Sequence, residues 1–105
     1  MKLVFCLCPK DAAESIGRTL VERRLAAAVS LVPGITRLSR VGSQGIDAEP
    51  ETILLIEVME ESLSALRDTI VSLHPSIVPP YFVVSPDSAA SLPLYVDWLR
   101  TACEN

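Results

Sequence analysis

Residues 26–59 read AAAVSLVPGITRLSRVGSQGIDAEPETILLIEVM, and this stretch decides the fold. Two largely apolar runs, residues 26–40 and 51–59, flank the turn Gly42-Ser43-Gln44-Gly45, a pattern that predicts a β-hairpin. Both runs exceed the usual strand of about five or six residues, so the hairpin is expected to overhang its sheet. Pro33-Gly34 interrupts the first run. Proline offers no N–H to a ladder and glycine tolerates a bulge, which predicts a bent edge strand. An overhanging apolar hairpin calls for cover, and a second subunit is the simplest source.

On the N-terminal side, residues 2–8 (Lys-Leu-Val-Phe-Cys-Leu-Cys) form an apolar run stopped by Pro9, the mark of a buried strand. Asp11 with Glu14 three residues on reads as a capping box, and Ile16, Leu20 and Val21 give the apolar stripe of a helix running to about Leu25. On the C-terminal side, Leu63, Leu66, Ile70 and Leu73 mark a second helix ended by Pro75. A short strand at Tyr81–Ser85 follows Pro79-Pro80. A last helix opens near Ser91-Leu92-Pro93 and carries Tyr95, Trp98, Leu99 and Ala102 on one side, with Trp98 as its expected apolar anchor. The order is βαββαβ plus a C-terminal helix. It predicts a single α+β domain over residues 1–105, a ferredoxin-like sandwich with both helices on one sheet face and a long β2–β3 hairpin.

Half of the 105 residues are hydrophobic and 21% are charged, a composition that excludes disorder and leaves a small monomer short of polar cover, which favours self-association. The formal charge is −4 and the one adjacent basic pair is Arg23-Arg24, so nucleic acid is not an expected partner. No run reaches the ~20 apolar residues of a membrane span, and the apolar N-terminus meets Pro9-Lys10-Asp11 too early for a signal peptide. A cytoplasmic protein is expected. The odd cysteine count, Cys6, Cys8 and Cys103, fits free thiols in a reducing compartment.

Cys6 and Cys8 stand at i, i+2 on a strand and so share one sheet face, where two thiolates suit a soft metal. Buried small hydrophobes on a core strand follow the same alternation. His74 is the only histidine. The first strand and the second helix run toward the same end of the sheet, bringing His74 near Cys8 for a copper or zinc site, or alternatively leaving it to cap the helix C-terminus. No catalytic constellation emerges: the histidine has no signature pairing it with a nucleophile, and no Gly-rich phosphate cradle opens a helix. Ser43-Gln44-Gly45-Ile46 lies in the hairpin and is followed by acidic residues, which excludes an acylphosphatase-type phosphate loop.

The block Leu20-Val21-Glu22-Arg23-Arg24-Leu25-Ala26-Ala27-Ala28-Val29-Ser30-Leu31-Val32-Pro33-Gly34-Ile35 resembles the signature of the CutA divalent-cation tolerance proteins. Cys6 with Pro9, His74-Pro75 with Pro79, and Tyr95 with Trp98 fall into register with the same family, so the resemblance covers nearly the whole chain. It implies a PII-like fold, a homotrimer built through the hairpins, no enzymatic activity, and binding of copper or another divalent cation in some members. Cys6 and His74 are the positions it assigns to metal, and the strand spacing adds Cys8 as the residue that could complete the site. Four departures stand out: Ala28 replaces the family's cysteine, Ser76 its aromatic after His-Pro, Pro80 its glutamate, and Glu57 its lysine. The alternative expectation is a PII-like sensor of a small ligand, or a scaffold for a protein partner, acting at subunit junctions without metal.

Overall fold

The computed structural model describes residues 1–87 and 89–104. In chain order the elements are β1 (Lys2–Cys8), α1 (Lys10–Glu22), β2 (Ala28–Val41), β3 (Gly45–Val58), α2 (Leu63–Leu73), β4 (Tyr81–Val84) and α3 (Pro93–Ala102), with a single 3₁₀ turn at Glu60–Ser62 before α2. The strands form one antiparallel sheet in the order β2-β3-β1-β4. Cys6 sits opposite Leu54 on β3 and Tyr81 on β4, which makes β1 the centre of the short strands and β2 a sheet edge.

The period-two alternation of β1 and β3 builds the core. Val4, Cys6 and Cys8 from β1 and Leu54, Ile56 and Val58 from β3 point to one face, where Ile16 and Leu20 of α1 and Leu66 and Ile70 of α2 close over them. Gly17 lets α1 approach β2: a Cβ there would lie 3.3 Å from a methyl of Val29.

Three expectations change and one holds. The helix start is not a capping box. Pro9, with φ preset by its ring, precedes the first turn and its carbonyl accepts the N–H groups of Ala12 and Ala13, while Asp11 lies inside the turn and Glu14 pairs with Arg18 at 3.4 Å. The third strand begins at Gly45 rather than Glu51. Its polar first half has no core to face, yet it pairs with β2 from Val41↔Gly45 onward, so ladder bonds rather than apolar burial define it. The register slips between Val32 and Ile35, where Gly34 adopts φ +77°, the bulge that Pro33-Gly34 foretold. Finally, Leu99 is the buried residue of α3, whereas Trp98 remains 47% exposed beside Tyr95.

Candidate functional site

The far end of β1 gathers the residues of chemical interest. Cys6 and Cys8 are fully buried in the apolar core. Burial pushes the Cys6 thiol up to about 12, helped by the neighbouring Cys8 and by the charge of Glu51, and pushes Cys8 up to about 11, helped by Glu51 and Asp11. Both are therefore neutral thiols at physiological pH. Cys103, half-buried at the end of α3, is also raised by burial.

His74 follows α2 directly, and its backbone N–H closes the helix on Ile70 O at 2.8 Å. Its ring joins two further segments. Nε2 lies 2.7 Å from the carbonyl of Leu7, and the backbone N–H of Ser76 donates to Nδ1 at 3.0 Å. A carbonyl can only accept and an N–H can only donate, so the ring is the neutral tautomer with its proton on Nε2. The topology does bring His74 to the Cys8 end of β1, between residues Cys6 and Cys8, as the sequence leads one to expect. It does not present a free lone pair there. Among the described residues no three His, Cys, Asp or Glu side chains converge to hold a metal ion. Cys6 and Cys8 hold their protons and both nitrogens of His74 are already bonded, so the three do not fit a metal without rearrangement.

Sequence reasoning missed Glu51. It stands at the β3 side of the bulge, opposite Ile35, and its Oε2 atom is buried with no hydrogen-bond partner among the described residues. A cleft of about 500 Å³ opens beside it, bounded by Pro9, Lys10 and Asp11 at the start of α1 and by Pro33 and Pro50 of the hairpin. Its sequence signal was an acidic residue at the junction between polar and apolar halves of one strand.

The face of the sheet turned away from α1 and α2 is apolar and largely open. Phe5 and Phe82, opposite one another on β1 and β4, stack with ring centres 5.2 Å apart. Phe82 is 53% exposed, and Val32 and Val84 are exposed with it. At one end of this face the Tyr95 hydroxyl donates to the carboxylate of Glu57, linking α3 to β3.

This architecture has known counterparts. The family model described as CutA1 divalent ion tolerance protein matches residues 2–102. The chain belongs to the CutA1 family. It is 34% identical to the divalent-cation tolerance protein CutA of Thermus thermophilus over 91 residues, covering 87% of this chain and 85% of that protein. It is 32% identical to human protein CutA over 102 residues, 96% of this chain, and spans about half (55%) of the human protein's length. The PII-like protein CutA from Nostoc sp. PCC 7120, in apo form, superposes with a TM-score of 0.92 at 29% identity, covering 99% of this chain and 98% of that one.

Of the four departures, Glu57 acts through its own side chain, while Ser76 and Pro80 contribute backbone groups that any residue there would supply. Ala28 sits opposite Glu57 at the start of β2. Glu57 holds Tyr95, Ser76 supplies the N–H that fixes His74, and the carbonyl of Pro80 accepts the N–H of Leu7 at 3.0 Å. The family is named for divalent-cation tolerance rather than for a reaction. No helix among the described residues is long and apolar enough to cross a membrane.

Proposed function

We propose that this chain is a non-catalytic, self-assembling protein of the divalent-cation tolerance response, and that its working form is a homotrimer. The open apolar sheet face that carries Phe5 and Phe82 supports the reading, because an aromatic side chain left half in water, as Phe82 is, gains by burial against another copy. The long hairpin and the free edge of β2 favour the same outcome. Light scattering tests it: a mass three times the 11.4 kDa of one chain is expected, and a single-chain mass at micromolar concentration would end the proposal.

A second reading, soft-cation binding through Cys6 with His74 or Cys8, is supported by the contact of His74 with the Leu7 carbonyl, which stands between the two cysteines in the chain. Binding requires a thiol to lose its proton and His74 to release Leu7 or Ser76, so affinity should fall with pH. Titration of Cu(I) or Zn(II) into wild type, Cys6→Ser and His74→Ala decides it, equal affinity in all three ruling the site out.

A further inference from the structure

The bulge between Val32 and Ile35 decides which side of the overhanging hairpin is apolar. Before it, Val29 and Leu31 of β2 stand opposite Ile56 and Leu54, on the side of the sheet that α1 and α2 cover. After it the pairs are Leu38↔Ala48 and Arg40↔Ile46, and alternation along β3 puts Ile46, Ala48 and Pro50 on the same side as Leu54 and Ile56. The apolar side of the sheet therefore continues past the helices onto the hairpin, where Leu38 is 68% and Ile46 78% exposed. The other side of the overhang carries Arg37, Ser39 and Asp47, all half-buried. The apolar side is thus the more exposed of the two, an arrangement that favours a covering partner.

The helix α3 has a matching need. Leu99 docks it, while Leu94 and Trp98, four residues apart on one side, stay exposed with Tyr95 beside them. Tyr95 is bonded to Glu57, and Glu57 and Ile46 lie toward opposite ends of β3, roughly 35 Å apart at about 3.3 Å per residue. The α3 of one chain cannot reach the hairpin tip of the same chain. Charge agrees with a contact between copies: among the described residues Arg40, on the apolar side of the hairpin, pairs with no acid and Glu57 with no base. A guanidinium also packs well on an indole face.

We propose that the apolar side of the hairpin, through Leu38 and Ile46, packs on Leu94 and Trp98 of α3 in a second copy of the chain, with Arg40 at that copy's Glu57. The contact rests on the homotrimer reading and names the two surfaces that meet. Because they are different surfaces, the contact is head-to-tail, and a ring of three uses every hairpin and every α3 once.

Light scattering first fixes the mass of the wild-type chain. In Ile46→Cys/Leu94→Cys/Cys103→Ser, positions 46 and 94 are exposed while Cys6 and Cys8 stay buried. A short bismaleimide cannot span the two positions within one chain, so it should join 46 to 94 between chains, giving covalent dimers and trimers on a denaturing gel and the linked peptides by mass spectrometry. Trp98 is the only tryptophan and supplies a second readout. Its quenching by acrylamide should be roughly halved in the wild-type assembly relative to Leu38→Asp, because a side chain 47% exposed in one chain becomes covered. Leu38 is exposed in the single chain, so circular dichroism should show Leu38→Asp folded. A protein of trimer mass that gives no link between 46 and 94, or equal quenching of Trp98 in both proteins, would overturn the contact and leave the homotrimer standing. A single-chain mass for the wild type would overturn both.

Discussion

The imidazole Nε2–H of His74 donates to the backbone carbonyl of Leu7 across 2.7 Å, joining the end of α2 to the last residues of β1. The loop that follows α2 depends on this ring, because the N–H of Ser76 is satisfied by its other nitrogen. Replacing His74 by Ala removes the partner of both backbone groups at a partly buried position, so a loss of about 1–3 kcal/mol is expected. Urea denaturation measures it. A loss under about 0.5 kcal/mol would mean that water replaces the ring at no cost.

The buried thiols lead to a reactivity prediction. Cys6 and Cys8 are raised to about 12 and about 11, while the thiolate is the reactive species. Iodoacetamide at pH 7.5 should therefore modify the half-buried Cys103 and spare Cys6 and Cys8 until the protein unfolds. Peptide mapping reads the result directly, and labelling of Cys6 in the native state at the rate of Cys103 contradicts it.

The same raised values fix a pH dependence. Above the ordinary thiol value of 9.0 the unfolded chain releases its thiol protons while the folded chain retains those of Cys6 and Cys8. The folded state then binds more protons, so stability falls as pH rises from about 9 through about 12, and is unaffected by these groups below 9. A Cys6→Ala/Cys8→Ala protein should show a shallower decline in denaturation midpoint over the alkaline range. An identical slope in both proteins would assign the decline to other groups.

Assembly through the open sheet face predicts a separation of association from folding. Phe82→Asp places a charge on that face, where burial against another copy would strand it unpaired. Light scattering should give a smaller species while circular dichroism keeps the α+β signature. Retention of the wild-type mass by Phe82→Asp would move the interface elsewhere.

Within one protomer, α3 is anchored by Leu99 rather than by its tryptophan. Leu99→Ala should cost about 2–5 kcal/mol, and in the Phe82→Asp background Trp98→Ala should cost less than Leu99→Ala. Thermal melts of the paired variants provide the comparison; the reverse order would show Trp98 to be the docked residue.

Much of this was written plainly in the sequence. The apolar alternation of residues 2–8 and 51–59, the helix stripes through Ile16-Leu20 and Leu66-Ile70, and the bulge at Pro33-Gly34 follow from local periodicity and backbone sterics, which act over a few residues and survive in any context. The family resemblance was equally local, carried by motifs such as Leu20–Ile35 and His74-Pro75.

Tertiary structure decided what depends on distant partners. Glu57 was noticed only as a departure, because nothing near it in sequence announces that Tyr95, 38 positions away, will bind it. His74 could be read as ligand or cap until Leu7 and Ser76 claimed both of its nitrogens. The cysteines kept their positions but changed their chemistry: spacing placed Cys6 and Cys8 on one face, and only the packing of α1 and α2 over that face removed the water that a thiolate needs. Glu51 escaped notice for the same reason. Its burial comes from the meeting of α1's first turn with the hairpin's bulge, and solvation at such a junction is a property of the folded shape, not of the residues taken in order.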